Sequence, residues 1–324
     1  MKVVIPVAGS GTRLRPHTYS QPKPLLEVGG KPIIAHLLDP IVKLRPEEVI
    51  FVVGYMGERI KQYVTQNYSF KARFVEQDKL LGLGYALYIA VKDMAGGDVL
   101  IVLGDTIVHC DLNHFVSAGD NVLGVLPVKD PRRFGVVKIS AGRIVEVVEK
   151  PEDPESNLAI IGLYYFKDVV PLRESLAVHV DSGRITCGEI QFTDALQLML
   201  DRGVTMVPHE VREWFDCGKK ETMLSTNQYL VAALAQNPHV PGAVITAPVY
   251  IHPKAKLINS EIGPSVSVSE GTVIRNSKIT NSIVGRNCII EDAVLKDSLV
   301  GNDVRVVGGH LTVNLGDSSE VESG

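Results

Sequence analysis

The last third of this chain carries a repeat, and this repeat constrains the fold more than any other feature of the sequence. From about residue 242 onward, aliphatic side chains recur at steps of about six, five and five residues, so a unit of roughly sixteen residues repeats. Two copies align by eye, because residues 281–287 read NSIVGRN and residues 297–303 read DSLVGND. One inward aliphatic per step, with Gly or Asn at the corners, fits a three-sided left-handed β-helix. A two-sheet sandwich is the alternative, but the fixed period disfavours it. The stepped residues are Val268, Ile274, Ile279, Val284, Ile290, Leu295, Val300 and Val306.

The residues before the repeat have a different pattern. Through about residue 235, short β-branched runs such as 49–53 and 99–103 alternate with amphipathic stretches. This alternation favours an α/β layer with a mostly parallel sheet, whose ligands bind at the carboxyl ends of the strands. We therefore predict an α/β domain over 1–235, a linker over 236–243, a β-helix over 244–316 and a disordered tail over 317–324.

Composition and charge exclude several classes of protein. The net charge of -4 argues against a nucleic-acid partner that is held by bulk electrostatics. The cysteines, Cys110, Cys187, Cys217 and Cys288, lack metal-ligand spacing and read as reduced thiols. A strand follows Met1 and Lys2 directly, and no apolar run approaches the length of a membrane span. We expect a soluble cytoplasmic protein with no membrane partner.

The first strand leads into a glycine loop with several cations after it. Residues 3–7 are apolar, and Gly9, Ser10, Gly11 and Thr12 follow. The glycines let backbone N–H groups converge on an anion. Arg13 and Arg15 come next, and Lys23 stands between two prolines. The loop lacks the Gly-Lys-Ser/Thr string of nucleoside triphosphatases and the third glycine of the dinucleotide fingerprint. Cations beside such a loop indicate a bound polyphosphate.

The same region carries a family resemblance. Residues 9–18 read G-x-G-T-R-L-x-P-x-T, and residues 22–25 read P-K-P-L. This string resembles the signature of the sugar-1-phosphate nucleotidylyltransferases, also called nucleotide-sugar pyrophosphorylases. Matching motifs cover nearly all of the first 235 residues in the expected order. The resemblance implies a Rossmann-like three-layer domain, and it implies a nucleotide site that is formed by Ala8, Gly9, Ser10, Gly11, Thr12, Gln77 and Gly82.

Two aspartates are candidate ligands for a metal ion. Asp105 follows the apolar run 99–104, so its carboxylate is expected at the same sheet edge as the glycine loop. Asp216 precedes a helical run that starts near Lys219. A turn or helix cap is the alternative role for each residue. The family's L-G-D and W-x-D-x-G strings both occur here, and the resemblance implies that Asp105 and Asp216 hold Mg²⁺. Cys217 replaces the threonine that is common in the family.

A third motif is Glu149-Lys150-Pro151 at the end of a predicted strand. Strict alternation would place Val145, Val147 and Glu149 on one face of that strand. A charged strand end before a proline turn is the ordinary interpretation. Through the family's E-K-P motif, Glu149 would accept hydrogen bonds from sugar hydroxyls and Lys150 would bind the sugar phosphate. The full sugar-phosphate set that the resemblance implies is Gly135, Glu149, Lys150, Ile161 and Trp214.

The implied reaction needs position and positive charge more than a general base. A sugar 1-phosphate oxygen can attack the α-phosphorus of a nucleoside triphosphate directly, and pyrophosphate leaves in line. The resemblance assigns catalytic roles to Arg13, Lys23, Asp105 and Asp216. In pyrimidine-using members a glutamine at the position of Gln77 contacts the base, so we expect dTTP or UTP with glucose 1-phosphate. The G-L-G string at 82–84 looks like that of glucose-1-phosphate thymidylyl- or uridylyltransferases.

The predicted β-helix leaves two alternative functions open. Left-handed β-helices occur in acyl-coenzyme A-dependent transferases, where His252 or His310 could act as a base, although the expected three to four coils are few for that role. A non-catalytic regulatory subunit is the other alternative. We favour assembly into a homo-oligomer through the β-helix, because open solenoid ends need a cap or a partner. Deletion after Pro241 would then change oligomer size more than chemistry.

Overall fold

A computed structural model describes residues 1–234 and 238–323 of the chain. These residues form two compact units. The first unit combines Met1–Gly9 with Leu37–Trp214, and the second combines Ser10–His36 with the chain from Phe215 onward. The division that we predict at residue 235 therefore differs from the division into units, because Ser10–His36 and the helix before residue 235 belong with the repeat. The predicted linker, 236–243, lies partly outside the described residues.

A nine-stranded mixed sheet forms the centre of the first unit. Its order is β10-β9-β11-β6-β1-β4-β5, and β8 lies between β11 and β12. The pairs among β1, β4, β5 and β6 are parallel, as is β8 with β12, whereas β11 runs antiparallel to its neighbours. The strands, numbered in chain order across both units, are β1 (Lys2–Pro6), β4 (Glu48–Val53), β5 (Ala72–Glu76), β6 (Val99–Val102), β8 (Asn121–Pro127), β9 (Gly135–Ser140), β10 (Arg143–Glu149), β11 (Leu158–Phe166) and β12 (Val207–Glu210). Outside this sheet are β7 (Thr106–His109) and β13 (Glu213–Asp216).

Helices pack on this sheet and complete its core. Buried Leu87, Phe166 and Phe192 belong to one apolar cluster that joins the sheet to α3, α5 and α6. The α/β prediction is confirmed. The helices are α1 (Ile33–Lys43), which continues from the second unit into the first, α2 (Gly57–Asn67), α3 (Leu83–Val91), α4 (Leu112–Ser117), α5 (Val169–Ser182) and α6 (Phe192–Asp201).

Strand β10 does not alternate as the sequence predicts. Its pairing with β9 shifts register between Ile144 and Glu146. A bulge of this kind adds one residue to a strand and turns the following side chains to the other face. Ile144 and Val147 are therefore both buried, whereas Val145 is 47% exposed. The prediction that Val145 shares a face with Val147 and Glu149 is wrong.

The second unit begins with the residues after the glycine loop. Three short 3-10 helices, Thr12–Leu14, His17–Tyr19 and Lys23–Leu25, precede a hairpin of β2 (Glu27–Val28) and β3 (Lys31–Pro32). Helix α7 (Lys220–Ala233) packs on this hairpin and on two strands of the repeat, β15 (Val249–Ile251) and β18 (Val266–Val268).

The repeat folds into three parallel sheets of five strands each, and successive strands visit the three sheets in turn. This arrangement is consistent with the left-handed β-helix that the period predicts. It has five coils, more than the three to four that we expected. One sheet contains β14 (Ala243–Ile245), β17 (Ser260–Ile262), β20 (Lys278–Thr280), β23 (Val294–Lys296) and β26 (His310–Leu311). The next contains β15 (Val249–Ile251), β18 (Val266–Val268), β21 (Ile283–Val284), β24 (Leu299–Val300) and β27 (Asn314–Leu315). The last contains β16 (Lys256–Ile258), β19 (Val273–Arg275), β22 (Ile289–Glu291), β25 (Arg305–Val307) and β28 (Glu320–Glu322).

Asn and Asp side chains stack at the corners of the β-helix. Asn276, with φ of 47°, accepts a hydrogen bond from Asn259 one coil earlier at 2.9 Å. It donates to Asp292 one coil later at 3.0 Å. Asn and Asp tolerate left-handed backbone better than other side chains, which explains their use at these turns. Each corner thus satisfies its own polar groups along the stack.

The end of the chain differs from the predicted disordered tail over 317–324. Strand β28 pairs with β25 in register, with Val321 opposite Val306. Asp317 accepts a hydrogen bond from the Asn302 backbone at 2.8 Å. The repeat thus continues by one strand, β28, beyond residue 316, where we predict its end, because the residues of this strand and of the turn before it are mostly polar. Gly324 lies outside the described residues.

In the described part of the chain, no helix combines the length and the apolar character that a membrane crossing requires.

Candidate active site

In the first unit, the start of the glycine loop lies at the carboxyl edge of the sheet. The Val7 N–H donates to the Val52 carbonyl at 2.8 Å, and the Gly104 N–H donates to the Pro6 carbonyl at 3.2 Å. A Cβ on Gly104 would lie 2.2 Å from Val7 Cγ1, so these two strand ends are in direct contact. Asp105, which is half-buried, therefore follows at the same edge as buried Ala8 and exposed Gly9.

Asp105 is not a helix cap. The next element is strand β7, and the helix after it, α4, is capped by Asp111, which accepts from the Asn113 N–H at 3.0 Å. The alternative role that the sequence left open for Asp105 as an N-cap is thereby excluded.

Two of the candidate nucleotide-binding residues, Gln77 and Gly82, lie between β5 and α3. Gln77 follows β5, and its side-chain amide donates to the Lys79 carbonyl at 2.9 Å. Gly82 precedes α3 with φ of 110°, a conformation that side chains other than glycine rarely adopt. A Cβ there would lie 2.7 Å from Glu189 Cβ, so Gly82 also lets the 189–190 loop approach closely.

The sugar-phosphate candidates form a compact cluster in the first unit. Glu149 Oε1 lies 3.2 Å from Lys150 Nζ, and Glu149 Oε2 accepts a hydrogen bond from Thr193 Oγ1 at 3.0 Å. A Cβ on Gly135 would lie 3.1 Å from that Oε2 atom and 2.7 Å from Thr193 Cγ2. Burial, and to a smaller degree the Glu149 charge, raises the pKa of the Tyr164 phenol. Glu149 is thus held by neighbours on both sides of its carboxylate.

Thr193 is the site residue that sequence reasoning missed. It is the second residue of α6 and is buried at 7% exposure. Its contact with Glu149 spans 44 positions of sequence. No local motif marks such a residue, so only the packing of α6 on β10 reveals it.

Trp214 and Ile161 differ in what they can offer a ligand. The Trp214 ring meets the Phe134 ring edge to face, with centroids 5.3 Å apart. Its buried Nε1 atom has no hydrogen-bond partner among the described residues, which leaves a donor for a ligand acceptor. Ile161 is 1% exposed, and its side chain packs on Gly124. A residue this deeply buried offers a ligand almost no surface in this structure.

In the second unit, two cations and a carboxylate come together. Lys23 Nζ lies 4.0 Å from Asp216 Oδ1. A Cβ on Gly218 would lie 2.8 Å from Asp216 Oδ1 and 3.0 Å from Arg13 Nη2, so Arg13 and Asp216 flank the same small gap. Lys23 is only 6% exposed, and a buried ammonium needs a nearby counter-charge. Asp216 provides that charge.

The glycine loop folds back over Lys23. Gly11 has φ of 63°, and its carbonyl accepts from Thr18 Oγ1 at 2.9 Å. A Cβ on Gly11 would lie 3.1 Å from Lys23 Cβ. Ser10 is half-buried and Thr12 is exposed, so both can reach a ligand. The loop residues therefore lie beside the buried cation.

Asp216 does not cap the helix that follows it. The N-cap of α7 is Lys219, whose N–H donates to Thr222 Oγ1 at 3.1 Å. The side chain of Thr222, at the third helical position, thus reaches back to the backbone N–H of the N-cap. The carboxylate of Asp216 remains with Arg13 and Lys23.

The donor chemistry of this chain fits a hard divalent cation. The described residues contain no group of three or more His, Cys, Asp and Glu side chains that could hold a metal by itself. Mg²⁺ in nucleotide enzymes is held by one or two carboxylates, and phosphate oxygens and water complete its coordination. Asp105 in the first unit and Asp216 in the second are each a half-buried carboxylate beside a strand, so each is of the ligand type that such an ion takes.

Comparison with known proteins assigns the family. A model of the nucleotidyl transferase family matches residues 2–232. The chain belongs to this family. Within it, the chain is a nucleotidyltransferase of the sugar-1-phosphate type.

Several relatives of this nucleotidyltransferase match most of its length. The bifunctional protein GlmU of Methanococcus vannielii is 31% identical over 348 residues, which covers 97% of this chain and 81% of that protein. A glucose-1-phosphate thymidylyltransferase of Streptomyces griseus is 29% identical, with 94% of this chain and 93% of the relative covered. A solved UDP-glucose pyrophosphorylase with UDP-glucose superposes with a TM-score of 0.61 at 23% identity. That match covers 70% of this chain and 97% of the solved one, and it shows the shared fold.

Proposed function

We propose that this nucleotidyltransferase transfers a nucleotidyl group from dTTP or UTP to glucose 1-phosphate and releases pyrophosphate. The observation that carries the proposal is the cluster of Arg13, Lys23 and Asp216 beside the glycine loop. Similarity to a thymidylyltransferase over nearly the full length of both chains supports the choice of substrates.

The charges of the site suit the reaction. An oxygen of the sugar phosphate attacks the α-phosphorus, and the bond from the α-phosphorus to pyrophosphate breaks. Two polyanions must approach each other, and their repulsion in a site of low dielectric amounts to several kcal/mol for each pair of charges. In the proposal, Arg13 stabilises the leaving pyrophosphate, Lys23 binds near the α-phosphate and Lys150 binds the sugar phosphate.

Asp105 and Asp216 are the residues that would hold Mg²⁺. Bound there, the ion would neutralise charge on the phosphate oxygens. The chain's own part is to present these carboxylates. Asp216 is already oriented by the neighbouring cations.

Binding of the sugar is assigned to the cluster around Glu149. A carboxylate whose second oxygen is occupied by Thr193 presents the first oxygen in a fixed direction. Gly135 lets the Thr193 and Glu149 side chains approach its backbone closely, and the Trp214 indole N–H offers a donor. Gln77 is assigned to the pyrimidine base, and the turn at Gly82 belongs to the same nucleotide subsite.

Pyrophosphate release by the purified chain tests the proposal. We would measure it with Mg²⁺ and glucose 1-phosphate against dTTP, UTP, CTP, ATP and GTP in parallel. Release restricted to dTTP or UTP supports both the reaction and the role of Gln77. Preference for a purine nucleotide retains the enzyme and rejects Gln77 as the base contact. No release with any pair of these or other sugar phosphates overturns the proposal.

A bifunctional enzyme is the second candidate, because the chain resembles the bifunctional GlmU of M. vannielii along 97% of its length. The five coils are also more than we expected. His252 Nδ1, however, accepts a hydrogen bond from the Lys254 N–H at 3.2 Å, as a turn residue does. His310 lies exposed on β26. Release of coenzyme A from acetyl-coenzyme A with an amino-sugar phosphate tests this candidate, and absence of turnover dismisses it.

We expect Thr193→Val to raise the KM for sugar 1-phosphate about three- to tenfold, because loss of a hydroxyl donor leaves one oxygen of Glu149 unpaired in a buried site. The KM for the nucleoside triphosphate should stay within twofold. Steady-state kinetics with each substrate varied in turn measures both. Thr65→Val, at an exposed helical threonine, is the matched control. Equal effects on both KM values would contradict a role at the sugar subsite.

A further inference from the structure

The residues of the glycine loop signature are anchored to the last coil of the β-helix. The relevant stretch is Ser10–His36, called the signature segment below. His17 Nε2 lies 2.8 Å from Asn314 Oδ1, and Ser20 Oγ donates to Asp317 Oδ2 at 2.8 Å. The two partners of each hydrogen bond are 297 positions apart in the chain. The last coil therefore holds the middle of the signature segment.

Van der Waals contact accompanies these hydrogen bonds. Pro16 lies directly on Gly316, where an added Cβ would come within 3.0 Å of Pro16 Cβ and 3.3 Å of the Pro16 carbonyl oxygen. Asn314 Nδ2 also reaches the Arg15 carbonyl at 3.5 Å. The backbone between Arg15 and Ser20 thus follows the surface of the last coil, two residues after Arg13.

The other end of the signature segment is anchored to earlier coils. Glu27 accepts hydrogen bonds from Arg286, with Nε at 2.7 Å, and from Ser269 Oγ. At the hairpin turn, a Cβ on Gly30 would lie 2.7 Å from the Tyr250 ring. Asn227 of α7, fully buried, accepts from the Gly29 N–H at 3.0 Å and donates to the Ser265 carbonyl at 3.2 Å.

These anchors belong to one face of the β-helix. Tyr250 is in β15 and Asn314 is in β27, the two outer strands of the same five-stranded sheet. Ser269 and Arg286 follow the strands between them, β18 and β21. With about 4.8 Å between neighbouring strands, the face spans roughly 19 Å from the first coil to the last.

Burial makes the hydrogen bond between His17 and Asn314 costly to break. The imidazole is 3% exposed, and burial lowers the pKa of His17, opposed by the Asn314 hydrogen bond and by the Asp317 charge. A neutral ring with its proton on Nε2 donates to Asn314 Oδ1. Loss of that acceptor would leave a buried N–H group unpaired, which costs more than an exposed contact does.

We propose that this face of the β-helix holds the signature segment in its nucleotide-binding arrangement, and that Asn314 and Gly316 act as positioning residues for Arg13 and Lys23. The inference rests on the proposed function for the identity of the ligand. Arg13 and Lys23 both lie on the signature segment, close in sequence to the residues that contact the last coil. Loss of these contacts would allow the backbone that carries the two cations to move. The sugar cluster around Glu149 lies in the first unit and has no such dependence.

The test uses the full chain with Asn314→Ala and, separately, Gly316→Ala. The first variant removes the acceptor of His17, and the second pushes a Cβ against Pro16 without loss of any side-chain hydrogen bond. We expect the KM for the nucleoside triphosphate to rise about tenfold in Asn314→Ala, as the loss of one buried hydrogen bond implies. We expect a rise in the same direction in Gly316→Ala, because the new Cβ displaces Pro16. The KM for sugar 1-phosphate should stay within twofold. Amide hydrogen exchange should quicken in residues 10–26 and stay unchanged in β10 and β11.

Asn276→Ala is the matched control, because it breaks a corner stack of the β-helix through Asn259 and Asp292. It should lower thermal stability without a change in the KM for nucleotide. Three results would each overturn the inference. The first is an equal rise in the KM values for the two substrates, and the second is unchanged hydrogen exchange in residues 10–26. The third is a rise in the KM for nucleotide in Asn276→Ala as large as that in Asn314→Ala.

Failure of the proposed function is distinguishable from failure of this inference. Hydrogen exchange and direct nucleotide binding by titration calorimetry need no turnover. A wild-type chain that binds dTTP or UTP but releases no pyrophosphate rejects the enzyme. In that case, tenfold weaker nucleotide binding by Asn314→Ala with faster exchange in 10–26 still supports the anchoring of the signature segment.

Discussion

Asp216→Asn is expected to lower kcat by about three orders of magnitude while the chain stays folded, because the amide keeps the size of the carboxylate and loses its charge. Asp216 lies 4.0 Å from the buried ammonium of Lys23 and beside Arg13, so the change also removes a negative charge that faces both cations. Pyrophosphate release over a range of Mg²⁺ concentrations measures the effect. Part of the loss should be recovered at high Mg²⁺ if the carboxylate binds the ion.

The control for this variant is Asp153→Asn, at an exposed aspartate. It should behave as the wild type in kcat and in melting temperature. Near-normal turnover by Asp216→Asn would remove this residue from the site. A large fall in melting temperature with a small fall in kcat would make Asp216 a structural counter-ion for Lys23 alone.

Removal of the β-helix should abolish turnover. A chain that ends at Pro241 loses the partners of His17, Ser20, Glu27 and Gly30 in the signature segment. This result is the opposite of the sequence-based expectation that such a deletion changes oligomer size more than chemistry. The structure argues against that expectation because the segment and the repeat form one compact unit.

Two shorter truncations separate loss of the anchors from loss of the fold. A chain that ends at Ser318 keeps Asn314, Gly316 and Asp317, and we expect it to retain most of the wild-type kcat/KM for nucleotide. A chain that ends at Thr312 lacks all three and should lose about tenfold or more. Pyrophosphate release and circular dichroism on both chains check this. If the chains that end at Ser318 and Thr312 are equally active, or if the chain that ends at Pro241 is fully active, the β-helix acts in assembly only.

Much of the fold could be predicted from the sequence, because each position of the sixteen-residue repeat requires one type of residue. An aliphatic at every inward step and Asn or Asp at the corners define the β-helix. Where one extra residue enters a strand, as between Ile144 and Glu146, alternation no longer tells which side is buried. The last strand, β28, was missed because residues 317–323 are mostly polar and resemble a disordered tail.

Prediction of the site from sequence was limited by distance along the chain. Motifs indicate residues that act near their neighbours, such as the glycine loop or Glu149 with Lys150. Thr193 meets Glu149 across 44 positions, and Asn314 meets His17 across 297. Neither contact has a local signal, since a buried threonine and an asparagine in a short strand are both common in ordinary packing. Only the folded chain shows which of them touches a site residue.

The contacts of the signature segment with the first and the last coil also constrain how many coils the β-helix can have between them. Gly30 contacts Tyr250 in the first coil, and His17 contacts Asn314 in the last. Insertion of one more sixteen-residue repeat between β21 and β27 would preserve every stack inside the solenoid, yet it would carry Asn314 about 5 Å beyond the reach of His17. Solenoids usually gain and lose repeats freely. In this chain, the number of coils between the two anchors is set by a loop more than two hundred residues away in sequence.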